Sequence, residues 1–582
     1  MERAAARWTW GLLGASLVLR LVIALPVLTQ PVWPSWDEAG YLAQGRAWAA
    51  VLSSLAQGVA PEDLDLADAY GRGVWPPLQP FLIGLAMALF GSHLAVARLV
   101  PLVLSALTTP LVYRFGRQVA GEQAGRGAGL LHLLYPPFVG FSHLLWSETL
   151  FFLSLILAAS ALAGLPKLAD ARHRLLAAAL AGVGVGLCGL ARAAVLPFLI
   201  LFPLWAALLG KGRERLRLAG AVALLSALTV APWLIWLHQR EGRFVLFSTA
   251  AGYNLLLGQT PAPDQDDGNR RNQKEALNRE VRFLAQSLDL SQDEAARRLA
   301  LETIREDPGA ALGRAAGRAR ALLGADTHLG RHLLQAVYPP TAPWLAGGLW
   351  LLIQLSFLLV AVLVLRGLAD SSWPLSHRLG LLVLAAAGAA PALLTVATPR
   401  MALPLLGLLL PAAGKGLEAS KSRKGRWVLG GLFALGLVLT WAGSPPVGAV
   451  SSFHASTRQW LRTLTGDAGT ENPALIGDRF ALRASPEACA PLVVTGASER
   501  TVIVGGPLLF EARLTDPSAT IELLVSCGSQ RSGQLVPVNR RGWRSWQGTG
   551  LPGVEVMWLG GKDVTPTPLD PEWPPRRPVG GT

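Results

Sequence analysis

Charge is what this chain has least of. Of its 582 residues only 15% are Asp, Glu, Lys or Arg, against about 25% in an ordinary soluble domain. Apolar runs of helix length recur along it and mean hydropathy is +0.39, which excludes a soluble globular fold and defines a mainly α, polytopic membrane protein. Acid is scarcer than base, 38 residues against 52, for a net charge of +14. The basic residues sit mainly in short loops between apolar runs, the mark of cytoplasmic loops, so no nucleic-acid partner is expected. Cysteine is nearly absent. Cys188 lies in an apolar helix as a small core residue, while Cys489 and Cys527 share the polar C-terminal region and can pair if it faces an oxidising compartment. The chain has no H-E-x-x-H and no phosphate-binding P-loop, and Gly182–Gly186 inside an apolar helix reads as a helix-packing surface. His328 and His332 lie one helical turn apart without an acidic third ligand, so they read as a solvated pair. Neither metal nor cofactor is expected.

Arg3 and Arg7 precede the first apolar run, Trp8–Leu28, which at ~1.5 Å per residue is one bilayer thick. They place its start in the cytoplasm and the residues after it outside. With it there are about eleven crossings in all, with basic clusters at nearly every inward turn: Arg114 to Arg126, Lys167 to Arg174, Lys211 to Arg217 and Lys415 to Arg426. Two long external loops result, about 29–75 and 239–342. The 1–444 module is therefore transmembrane, and residues 445–582 lie outside as a β-rich region with a Pro-rich tail.

Against this topology, the acids of interest are those held at the outer surface. Asp37 and Glu38 emerge from the first helix, framed by Trp33, Trp36 and Tyr41, and Glu148 sits in a short turn on the same side. Arg192 and Arg400 also lie outside, against the positive-inside trend; the planar guanidinium fork suits a phosphate. Arg98 lies near the outer end of the second crossing. Arg20 lies deeper, where a charge costs about 2.5–3.5 kcal/mol on insertion scales, so it should face a polar partner or cavity.

Several stretches are similar to the dolichyl-phosphate-mannose-protein mannosyltransferase-like group, glycosyltransferase family 39 with its aminoarabinose-transferase relatives, in the GT-C superfamily. They are Asp37-Glu38-Ala-Gly-Tyr41-Leu42, Pro76-Pro77-Leu78-x-Pro80, Ser147-Glu148-Thr-Leu-Phe, Gly189-Leu-Ala-Arg192, Gly242-Arg243-Phe244, Gly252-Tyr253-Asn254-Leu255, Glu306-Asp307-Pro308-Gly309 and Pro399-Arg400-Met-Ala-Leu403-Pro404. The resemblance spans about residues 8–415. It implies a GT-C fold and transfer of a sugar, with inversion, from a polyprenyl-phosphate donor to a hydroxyl of a protein, lipid or glycan acceptor. It also implies the outer face of the bacterial inner membrane. Asp37 would be the general base, with Glu38 and Glu148 positioning the acceptor or tuning that base. Arg400 and Arg192 would hold the donor phosphate, with Arg98 and Arg72 as further candidates; Tyr41, Tyr253 and Asn254 would contact substrate. Two departures stand out. Ala402 occupies a position that is often basic in relatives, and Trp75 stands before the double proline where a base is common. An O-antigen-type polymerase or ligase would instead rely on external Arg and His. A lipid-linked-sugar flippase would place ionisable groups near mid-membrane and often repeat its halves.

Overall fold

The structure is a computed structural model that describes residues 2–29, 36–60, 64, 66–71, 73–260, 267–324, 329, 343–422 and 427–434, with the strands of the C-terminal region. The chain divides into two compact units, residues 1–454 and 455–582. Arg72, His328, His332 and Cys489 lie outside the described residues, as does the expected boundary at 444, and with Cys489 the expected Cys489–Cys527 pairing.

The larger unit is helical. Among the described residues eight helices are long and apolar enough to cross a membrane, and this is a multi-pass membrane protein. They are α1 (Glu2–Thr29), α5 (Leu94–Ala120), α8 (Glu148–Gly164), α9 (Ala171–Ala191), α11 (Glu214–Glu241), α16 (Pro343–Leu368), α17 (Leu375–Leu394) and α18 (Leu403–Ala419). The expectation of about eleven crossings counted three further segments. Residues 129–145 are not one helix: α6 (Glu122–Leu134) ends before Pro136-Pro137, and a short α7 (Pro136–Gly140) and a 3-10 turn follow, because proline lacks the donor that would continue the ladder. α10 (Leu196–Leu209) has 14 residues and reaches only about 21 Å at 1.5 Å per residue. Of 427–441, residues 427–434 are described, as helix.

Apolar side chains divide between two surroundings. Phe115, Phe151, Leu155, Val185, Phe198, Val222 and Leu408 pack together in one buried core contributed by α5, α8 to α11 and α18. Ile200, Leu204 and Leu208 on α10, with Leu224, Leu228 and Ile235 on α11, are left exposed, the pattern of helices with an apolar solvent behind them. Cys188 is fully buried with its Sγ 3.6 Å from the Phe151 carbonyl. The glycines of 182–186 bring α9 against α11: a Cβ on Gly182 would lie 2.6 Å from the Val222 carbonyl oxygen.

Arg20 meets the polar partners its depth demands. It is fully buried and donates to Ser105 Oγ at 2.7 Å, to Ser16 Oγ at 2.5 Å and to the His132 carbonyl at 3.4 Å. Thr109 extends the network, 2.7 Å from Ser16 Oγ and 2.9 Å from His132 Nδ1. This polar clasp joins α1, α5 and α6.

Two loops carry helices of their own. After α1 come α2 (Trp36–Ala56), α3 (Ala67–Tyr70) and α4 (Leu78–Phe90). α2 lies along α4, where Gly45 and Gly84 permit a close crossing: a Cβ on Gly84 would meet the Gly45 carbonyl at 2.7 Å. After α11 come α12 (Ala251–Gln259), α13 (Asp267–Ser287), α14 (Gln292–Glu306) and α15 (Pro308–Leu322). A Ser291/Glu294 capping box starts α14, and Asp307 caps α15 ahead of Pro308, both satisfying amides that have no partner within the helix. The Glu306–Gly309 motif is thus a helix junction.

The smaller unit holds two antiparallel sheets. β1 (Arg479–Ala484), β3 (Glu499–Ile503), β4 (Leu508–Arg513), β7 (Trp546–Gln547) and β8 (Val554–Gly560) form one, in the order β3-β4-β1-β8-β7; β2 (Leu492–Thr495), β5 (Ile521–Cys527) and β6 (Gln530–Val536) form the other, with β5 central. β1 sets Leu482 opposite Phe510 of β4 and Val556 of β8.

Candidate active site

Four chain segments converge at one end of the helical unit. Asp37 and Glu38 stand in the first turn of α2, and Glu148 opens α8. Arg192 directly follows α9, and Arg400 lies in the 3-10 turn Pro399–Ala402 that leads into α18. The placement suits the helix dipoles: carboxylates sit at helix N-termini and Arg192 at a C-terminus, each favourable by about 0.3–1 kcal/mol.

There the side chains form an alternating chain of charge. Asp37 Oδ2 lies 2.7 Å from Arg400 Nη2; Arg400 Nε lies 3.4 Å from Glu148 Oε1; the same Oε1 lies 2.9 Å from Arg192 Nη1. The two acids and two bases cancel. Exposure along it falls and rises again: Asp37 is 39% exposed, Arg400 13%, Glu148 4% and Arg192 24%. Arg400 is also held from one face by Trp146, whose ring centroid is 4.2 Å from the guanidinium carbon, a cation–π contact. The Asp37–Arg400 contact is an aligned hydrogen bond, whereas Arg400–Glu148 is an ion pair without that alignment.

Ser147 ties this chain to α2. Its fully buried hydroxyl accepts from Tyr41 Oη at 3.0 Å and from Arg192 Nη1 at 3.2 Å. Tyr41 is itself buried, its ring 5.4 Å from that of Trp75; burial pushes its phenol well above the ordinary range, so it stays a neutral donor. Ser147 enters the sequence reading only as part of the motif Ser147-Glu148-Thr-Leu-Phe, without a role, and Trp146, just before it, does not enter at all. A buried tryptophan and serine at a helix start read as packing and capping until the partner helices are placed.

The other candidates lie elsewhere in the contact network. Glu38 is fully buried and accepts the Leu145 amide at 3.0 Å. Arg98, 1% exposed, donates to the Val27 carbonyl at the end of α1 at 3.1 Å, and its Nε and Nη2 have no hydrogen-bond partner among the described residues. Tyr253 donates to Asn278 at 2.8 Å, while Asn254 is exposed on α12. That helix packs on α14, where Asp293 accepts the Gly252 and Tyr253 amides at 2.7 and 3.3 Å. Burial raises the Asp293 carboxyl above its ordinary range, more than these amides lower it. The start of α12 borders a cavity of about 400 Å³, walled by Leu196, Pro391 and Leu394 and edged by Arg243, Asp293 and Arg297. Among the described residues no group of three His, Cys, Asp or Glu is placed to hold a metal ion.

Residues 74–236 match the family model of dolichyl-phosphate-mannose-protein mannosyltransferases. That stretch, which holds Glu148 and Arg192, is where the chain is similar to this family. No curated protein matches it. Among solved structures it is similar to the Archaeoglobus fulgidus oligosaccharyltransferase tethered with an acceptor peptide, at 15% identity over 77% of this chain and 55% of that one, TM-score 0.40. It is similar as well to ArnT from Cupriavidus metallidurans bound to undecaprenyl phosphate, at 14% identity over 87% and 98% of the two chains, TM-score 0.33. The chain thus spans just over half the length of the archaeal protein, and at these TM-scores no residue role carries across.

Proposed function

We propose that this protein is a membrane glycosyltransferase that moves a sugar from a polyprenyl-phosphate carrier to an acceptor hydroxyl, on the extracytoplasmic face of a bacterial inner membrane. One observation carries the reading: a half-exposed carboxylate, Asp37, lies 2.7 Å from a guanidinium that a second buried acid and an aromatic face hold in place. The family match over residues 74–236 supports it.

In this reading Asp37 takes the proton from the acceptor hydroxyl as its oxygen attacks the anomeric carbon opposite the phosphate. The new glycosidic bond forms as the bond from that carbon to the phosphate oxygen breaks, so the anomeric configuration inverts. The leaving polyprenyl phosphate gains one negative charge, which Arg400 and Arg192 stabilise. A placed base contributes about 10²–10⁴-fold, and fixed donors at a developing charge about 10²–10³-fold. Glu148 orients both guanidinium groups, and Ser147 and Tyr41 fix Arg192 and the first turn of α2. Distribution of basic residues supports the face: the opposite ends of the same helices carry Arg117, Arg126, Lys167, Arg174, Lys211 and Lys415.

The test is purified protein in lipid, supplied with radiolabelled polyprenyl-phosphate sugars and candidate acceptors. Transfer by the wild type and a loss of about 10²-fold or more in Asp37→Asn are expected. Undiminished transfer in Asp37→Asn would remove Asp37 as the base.

A further inference from the structure

Arg400 is not an open anion site. Its guanidinium already serves two carboxylates, and the two are held very differently. Glu148 lies between two arginines, 4% exposed, gripped by Arg192 as well as by Arg400. Asp37 lies at the open end, 39% exposed, and its bond to Arg400 is its one side-chain hydrogen bond or ion pair among the described residues. An anion arriving from solvent therefore meets Asp37 first and competes with it for the outer edge of the guanidinium. Displacing Glu148 from Arg400 would instead take a partner from a carboxylate that is only 4% exposed, a costlier exchange.

From this geometry we infer that the donor phosphate binds by replacing Asp37 on Arg400, and that this exchange switches the base on. The inference rests on the function proposed above and adds an order of events to it. Before the donor binds, the Asp37 carboxylate is engaged by Arg400. Once the phosphate takes its place, the carboxylate is released from the guanidinium and both of its oxygens are open to the acceptor hydroxyl. Base and leaving-group holder are thus one ion pair at rest and two separate tools in the loaded enzyme. Donor binds first; acceptor deprotonation follows.

Removing the competitor should therefore tighten donor binding while abolishing transfer. The probe is farnesyl phosphate, with farnesol as the control for its apolar tail, titrated onto detergent-purified wild type, Asp37→Asn and Asp68→Asn. Asp68 is an exposed acid of α3, so its variant reports the general effect of losing one negative charge. Asp37→Asn should bind farnesyl phosphate ~5-fold more tightly than wild type, the gain expected from releasing a partly exposed ion pair. Farnesol affinity should be the same for all three, and Asp68→Asn should match wild type. Unchanged or weaker binding of farnesyl phosphate by Asp37→Asn would overturn the exchange while leaving the phosphate site standing. A wild type that does not prefer farnesyl phosphate to farnesol would overturn the phosphate site itself and the exchange with it. If Asp37→Asn is recovered unfolded, Asp37→Ser removes the same charge and is judged by the same outcomes.

Discussion

Arg20 and Arg400 are both largely withdrawn from solvent, and they are satisfied in opposite ways. Arg20 is surrounded by neutral acceptors: two serine hydroxyls and a backbone carbonyl, with Thr109 and His132 completing the network. Arg400 is held by carboxylates, one deep and one near the surface. Short hydroxyls from α1 and α5 reach Arg20 from its own packed surroundings, so that network is closed and serves the packing of α1 on α5 and α6. The Arg400 system ends in Asp37, a partner that solvent can reach and an incoming anion can replace. Buried positive charge alone therefore does not mark a functional site.

The sharpest way to break this comparison is the same substitution at both sites. Arg400→Met should lower kcat/KM by about 10²-fold or more, as loss of a charge-stabilising donor does. Arg20→Met should change kcat/KM by less than about threefold, because hydrogen bonds inside a membrane average only ~0.6 kcal/mol and the buried cation leaves with them. Equal losses in a transfer assay would erase the distinction between clasp and site.

Glu148→Gln probes the most deeply buried member of the charge chain. It removes the acid that both arginines share and leaves two guanidinium groups close together. Breaking a buried pair costs about 3–5 kcal/mol, so a lower midpoint of thermal inactivation in detergent is expected, with weakened transfer. A midpoint equal to wild type would mean that Glu148 contributes no net stabilisation. The smallest effect belongs to Ser147→Ala, which strips the acceptor from buried Tyr41 and from Arg192. One unsatisfied buried hydroxyl costs about 1–3 kcal/mol, readable as a fall of several degrees in Tm and a modest rise in KM. Unaltered values would show that Tyr41 finds another acceptor.

Much of the helical unit was legible in the sequence because a bilayer reads hydropathy directly: α1, α5, α8, α9, α11 and α16 to α18 coincide with apolar runs. Asp37, Glu148, Arg192 and Arg400 each drew notice as charges held at the ends of such runs. Their pairing was hidden, since residues 37 and 400 are brought within 2.7 Å only by the packing of α18 beside α5 and α8. Glu38 shows the limit from the other side. It neighbours Asp37 in sequence, yet on a helix successive side chains point about 100° apart, and Glu38 turns inward to the Leu145 amide. Residues 129–145 mislead for a related reason, because an apolar run records burial but not the prolines' interruption of the ladder.

By itself, then, the sequence determined that this chain lives in a membrane, which end of its helices carries the basic turns, and which few charges stand against that trend. Hydropathy and charge act residue by residue, so they survive in one dimension. Only the tertiary structure decided which charges share a partner and how deeply each is buried. It set Arg20 among hydroxyls and Arg400 between two acids, because contact distance and solvent access belong to packed helices and not to any one of them.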